Sequence, residues 1–140
     1  MIKKKVVIKY KDSKIIKGWI ESFRPTKDYV SIHPLYEYSE ERQLNIKFDE
    51  LKAVFFVKDF VGNKNYQKIR TFDVPKKITP SQRKIIVDFE DGEKLYGTSI
   101  NFNKYTKGFF IYPIDEKDNN IRIFVLHSSV RKIHLMNIKL

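Results

Sequence analysis

Residues 6–19, VVIKYKDSKIIKGW, lie over residues 85–98, IIVDFEDGEKLYGT, at an offset of 79. Asp12 meets Asp91, Ile16 meets Leu95 and Gly18 meets Gly97. The register then runs on without a gap: Phe23 meets Phe102, Ile32 meets Ile111, Pro34 meets Pro113, and Leu51 meets Val130. A chain that repeats itself in this way reads as a tandem duplication, and each copy must close its own small core. The copies span 1–57 and 84–140, with 58–83 as a linker.

Each copy parses into short strands bounded by turn residues. In the first, Lys5–Tyr10 is a strand and Lys11-Asp12-Ser13 a tight turn. The second copy places Asp91-Gly92 at that turn, the favoured hairpin pair because glycine accepts positive φ without steric cost. Lys14–Phe23 is a second strand with Gly18 inside it, where a bend or a close backbone approach is expected; Gly97 repeats the feature. Tyr29–Pro34, Arg42–Phe48 and Lys52–Val57 are strands three to five, with one-turn links at Asp49–Leu51 and His127–Ser129. Helical periodicity is nearly absent, apart from a turn at Thr79-Pro80. The expected fold is all-β: two tandem five-stranded small β-barrels.

The fifth strands differ in an informative way. Val54 and Phe56 correspond to Ile133 and Leu135, so that face fills each core. The other face is Ala53, Phe55 and Val57 in the first copy but Lys132, His134 and Met136 in the second. Burying Phe55 and Val57 is worth about 1.5–3 kcal/mol each. Ala53, Phe55 and Val57 are therefore the candidate interface, covered by the linker, the second copy or another chain.

Charge points to an anionic partner. The chain has 28 Lys and Arg against 17 Asp and Glu, a formal +11. Lys9, Lys11, Lys14 and Lys17 crowd the first hairpin, and the linker carries Lys64, Lys68 and Arg70 beside Tyr66. That aromatic and basic mixture suits single-stranded nucleic acid, and these eight are the candidate anion contacts. Lysines along an edge strand also block edge-to-edge pairing, which is the plainer account of them.

Other chemistries find little support. No cysteine is present, so disulfides, thiolate nucleophiles and Cys-based zinc sites are excluded. His33, His127 and His134 show no metal-ligand spacing, no serine sits at a nucleophile elbow, and the glycines are scattered singly. Asp88, Glu90, Asp91 and Glu93 surround a hairpin turn and read as a solvated polar edge. No catalytic residue, metal or cofactor is expected. No run approaches a membrane span, and no apolar segment follows Met1–Lys5, so neither membrane insertion nor a signal peptide is expected and the location is cytoplasmic.

Two resemblances bear on this reading. The strand–turn–strand opening, the glycine in strand two and the ending VLHSSVRKIHLM resemble the Sm-like small barrel. Sm proteins grip RNA at an Asp-x-x-x-Asn position and an Arg-Gly pair; the matching stretches Arg24–Asp28, Asn103–Lys107, Asp49-Glu50 and Ser128-Ser129 keep neither. The resemblance therefore implies the fold and not the RNA site. The pieces Lys17-Gly18, Phe23-Arg24-Pro25, LKAVFFVKDFVGN (51–63) and Phe109–Pro113 are similar to a bacterial family of uncharacterised function found near PilZ domains. The Arg-x-x-x-Arg and Asp-x-Ser-x-x-Gly segments by which PilZ domains hold cyclic di-GMP are missing. Together these imply a non-catalytic binding or adaptor module with a protein partner, linked to PilZ-type signalling. The rival is a nucleic-acid-binding protein, and a homo-oligomer through strand five is a third reading.

Overall fold

The computed structural model describes residues 3–35, 42–62 and 82–136. Ten strands follow in sequence: β1 (Lys4–Tyr10), β2 (Ile15–Ile20), β3 (Tyr29–Pro34), β4 (Leu44–Lys47), β5 (Leu51–Val57), β6 (Arg83–Phe89), β7 (Lys94–Ser99), β8 (Gly108–Pro113), β9 (Asn120–Leu126) and β10 (Val130–Met136). Single 3₁₀ turns, Phe48–Glu50 and His127–Ser129, carry the chain from β4 to β5 and from β9 to β10.

All ten strands belong to one antiparallel sheet in the order β10-β6-β7-β8-β9-β5-β1-β2-β3-β4. This corrects the expectation of two closed barrels. Closure would require each half to pair its own outer strands. Instead the free edge of β5 is taken by β9 from the other half, with Phe55 opposite Ile123 and Val54 opposite Phe124. The sheet stays open at β10 and β4 among the described residues.

Both halves repeat the same pairing. Val6 faces Gly18 and Phe56 in the first half, and Ile85 faces Gly97 and Leu135 in the second. The register shift after Lys9 in the β1–β5 ladder recurs next to Val130 in the β10–β6 ladder. Gly18 and Gly97 mark the close approaches expected of them. A Cβ on Gly18 would stand 2.2 Å from the His33 carbonyl oxygen, and one on Gly97 would stand 2.3 Å from Ile111 and 2.6 Å from the Tyr112 carbonyl oxygen.

Among the described residues almost no helix covers the sheet, which buries both of its faces against itself. All seven residues of β5 are buried. Val54 and Phe56 join Val6, Ile8, Ile32 and Ile46 in one core. Ala53, Phe55 and Val57 join Ile85, Val87, Phe89 and Ile111 in the other. The neighbouring strand β9 divides in the same way, giving Phe124 and Leu126 to the first core and Ile123 and Val125 to the second. The two central strands are thus shared by both cores.

Candidate functional site

The open space of interest lies at the seam between the halves. A cavity of about 440 Å³ is lined from the first half by Pro25 and Thr26 and from the second by the 100–108 loop, β8 and β9. Strand alternation builds its wall. Phe109 and Ile111 turn into the second core, so Phe110 and Tyr112 face the other way, toward the cavity. Phe124 completes the aromatic surface, with its ring 5.1 Å from that of Phe110. The Arg122 guanidinium stacks between Phe110 and Phe56, 4.4 and 4.5 Å from their centroids. Gly108 makes this possible, because a Cβ there would stand 2.7 Å from the Phe124 ring and 2.4 Å from the Val125 carbonyl oxygen.

The rim is held in place by its own hydrogen bonds. Asn103 Oδ1 accepts from the Tyr105 amide at 2.9 Å, and the Thr106 hydroxyl is 2.9 Å from the carbonyl oxygens of both Asn103 and Gly108. Across the seam, Lys107 Nζ lies 2.8 Å from Asp28 Oδ1 and 3.8 Å from Asp49 Oδ1. Its hydrogen bond holds the Asp28 carboxyl below the ordinary range and raises Lys107 above its own. Thr26, Asn101 and Tyr112 are polar residues of the lining whose side chains make no hydrogen bond to another described residue.

A second, more open cavity occupies the equivalent place in the first half. It is lined by Ser22, Arg24, Lys27, Tyr29, Val30, Ser31 and Gln43. Where the seam cavity has Phe110, this one has Ser31, whose hydroxyl bonds Asn45, the residue aligned with Phe124, at 2.6 Å. The aromatic wall of the seam cavity at Phe110 is thus replaced by a polar side chain, while Tyr29 of the outer cavity aligns with Gly108.

The hairpin lysines selected from the sequence are only partly available. Lys9 lies over the Phe55 ring at 4.6 Å and Lys14 over Tyr10 at 5.2 Å. Lys17 Nζ donates to the Phe60 carbonyl oxygen at 2.8 Å. Lys11 is exposed and lines a small hollow with Lys52, Phe89 and Ser129. Lys64, Tyr66, Lys68 and Arg70 lie outside the described residues. Ala53, Phe55 and Val57 sit in the second core, not at a free surface.

Two features escaped the sequence reading. The carboxylates of the β6–β7 turn include an ion-pair site on an otherwise exposed edge: Asp91 and Glu93 both bind Lys52 of β5 at 2.6 Å. Nor did any local motif announce the cavity. The signal that could have found it is the mismatch between aligned positions, Phe110 against Ser31, Tyr112 against His33 and Phe124 against Asn45.

Among the described residues no group of three or more His, Asp or Glu is placed to hold a metal ion, and no helix is long and apolar enough to cross a membrane. Residues 2–137 match a family of unknown function, DUF6982, and the chain belongs to that family. No curated protein and no solved structure matches it.

Proposed function

We propose that the protein is a non-catalytic binding module and that the seam cavity is its site. One observation carries this reading. A cavity of about 440 Å³, within the range of small-molecule sites, is walled by residues of both halves and lined by aromatic side chains with a few unengaged polar groups. The repeated strand registers support an internal duplication, through which one copy's surface became sheltered by the other and free to specialise. A role as a cytoplasmic adaptor tied to PilZ-type signalling rests on sequence resemblance alone. Pull-down with PilZ-containing neighbours tests it, and recovery of none removes it.

The binding reading is tested by thermal unfolding against a fragment library, using the native chain and the rim variants Thr26→Trp and Asn101→Trp. A ligand at a hundred times its Kd adds about 2.7 kcal/mol of stability. Fragments that stabilise the native chain are expected to lose that effect in both variants. Stabilisation by no fragment, or stabilisation kept in both variants, rules the reading out.

Nucleic-acid binding is the second reading. It is favoured by exposed cation–aromatic pairs on the two equivalent loops, Lys27 over Tyr29 at 5.6 Å and Lys104 over Tyr105 at 5.1 Å. Affinity for a single-stranded oligonucleotide would then fall steeply with salt. The absence of binding at low salt removes it.

A further inference from the structure

We propose that the seam cavity takes a free small molecule built on a planar heteroaromatic ring of nucleobase size. The ring lies on the Phe110 and Tyr112 surface, with its hydrogen-bonding edge toward Asn101 and Thr26. This rests on the cavity being the binding site, and it names the class of ligand.

The lining itself argues for such a ring. Strand β8 offers two aromatic side chains two residues apart, on the face turned away from the second core. Aromatic side chains favour offset or edge contacts with another π system over contacts with a puckered ring. The unengaged polar groups count against a pure hydrocarbon. Such a ligand would strip water from Thr26, Asn101 and Tyr112 and return no hydrogen bond, a loss the site would bear for each group. A flat ring with donors and acceptors on its edge satisfies both demands at once.

The rim supports the same class. Asn103 and Thr106 fix the 103–108 loop by hydrogen bonds within the loop, so the cavity has its shape before a ligand arrives. The cation at the mouth is already engaged, since Lys107 holds Asp28 and Asp49. A charged group on the ligand is therefore not required. A phosphate would have to displace Asp28, an exposed partner of the kind that contributes little. The first half provides a built-in comparison. Its cavity has Ser31 where the seam cavity has Phe110, and its aromatic lining residue, Tyr29, stands where the seam cavity has Gly108.

The experiment uses the full chain and reads binding by saturation-transfer NMR and calorimetry. The probes are adenosine, guanosine, cytidine and uridine, their 5′-monophosphates, and the matched pair benzamide and cyclohexanecarboxamide. At least one nucleoside is expected to bind saturably, with benzamide competing and cyclohexanecarboxamide failing to compete. Tyr112→Ala and Asn101→Ala should each weaken the nucleoside about tenfold. Tyr29→Ala, in the first half, should leave it unchanged. Trp19 emission and far-ultraviolet dichroism check the fold, and the surface variant Thr26→Trp serves should Tyr112→Ala fail to fold. Equal displacement by the puckered carboxamide overturns the ring inference while leaving the cavity a binding site. Binding by none of the probes at millimolar concentration overturns the ligand class, whereas fragments found by thermal unfolding would still uphold the cavity. Binding that survives Tyr112→Ala, Asn101→Ala and Thr26→Trp, or that appears only with an oligonucleotide, overturns it as well.

Discussion

The Lys52 ammonium lies 2.6 Å from the Asp91 carboxylate, joining the central strand of one half to the hairpin turn of the other. Glu93 accepts from the same ammonium, also at 2.6 Å, and the Lys52 side chain is only 9% exposed. A buried cation is expensive to leave alone and much cheaper to remove outright. Asp91→Asn combined with Glu93→Gln should therefore cost about 1–3 kcal/mol in urea denaturation, moderated by the partial exposure of both carboxylates. Lys52→Met, which removes the charge and keeps the stem, should fall within about 1 kcal/mol of the native chain. Equal costs for the two changes would show that the ammonium is not dependent on its partners.

The same cluster sets a pH window. Burial works to raise the Asp91 pKa, but the Lys52 hydrogen bond and that of the Glu93 backbone outweigh it and leave it below its usual 3.8. Burial works to lower the Lys52 pKa, but its hydrogen bonds to Asp91 and Glu93 leave it above its usual 10.5. A depressed acid contributes stability that is present above its unfolded value and lost as pH falls through its folded one. A raised base contributes stability that is present below its unfolded value and lost as pH rises through its folded one. The advantage of the native chain over its Asp91→Asn, Glu93→Gln variant should hold between these limits. It should shrink below about pH 4 and again above about pH 10.5, as read from denaturation midpoints across pH.

The first hairpin carries a correctable strain. Ser13 has φ of 76°, while its counterpart Gly92 has φ of 92°. A side chain in the left-handed region costs about 1–2 kcal/mol, and glycine's extra freedom in the unfolded chain gives back about 0.4–1 kcal/mol of that gain. Ser13→Gly should raise stability by about 0.5–1 kcal/mol, and Gly92→Ser should lower it by a similar amount. A drop on Ser13→Gly would mean that the serine side chain makes a compensating contact.

Shared central strands make the halves interdependent. Phe55 is 3% exposed and belongs to the second core, whereas Phe56, the next residue, is 2% exposed and belongs to the first. Phe55→Ala should cost about 3–5 kcal/mol. Its effect should reach Trp19, which lies in the first half, as the same loss in urea midpoint seen by far-ultraviolet dichroism. Separate midpoints for the tryptophan and the backbone signal would show two independently unfolding halves.

Much of this architecture could be read from strand-level patterns, and the reason it stopped short is physical. Alternation assigns a residue to a face, so the positions of Val54, Phe56, Ile133 and Leu135 followed directly from it. The glycine in strand two signalled close approach, which Gly18 and Gly97 make. Alternation says nothing about which strand takes a free edge, and the pairing of β5 with β9 was missed for that reason. Strand two ends at Ile20 and not at Phe23 because Phe23 leaves the sheet to meet Phe48, Phe56, Phe110 and Phe124. The cavity depends on that edge pairing, so it was out of reach as well.

The outer edges repeat the central joint with its apolar chemistry removed. Inside the chain, β5 presents Ala53, Phe55 and Val57 while β9 presents Phe124 and Leu126, and both sets are buried. The corresponding positions on the outer edges are Lys132, His134 and Met136 of β10, and Asn45 and Lys47 of β4. Joining β10 of one molecule to β4 of another in the same register would set Lys132 opposite Ile46 and His134 opposite Leu44 and bury polar groups without partners. The native chain is therefore expected to run as a monomer in light scattering. Replacing Asn45→Phe, Lys47→Leu, Lys132→Ala, His134→Phe and Met136→Val together restores the apolar joint at both ends. Because the contact is head-to-tail, the variant should form a concentration-dependent series of oligomers, with no single closed dimer. A variant that stays monomeric would show that the polar residues are not what ends the sheet, and a native oligomer would show that they do not end it at all.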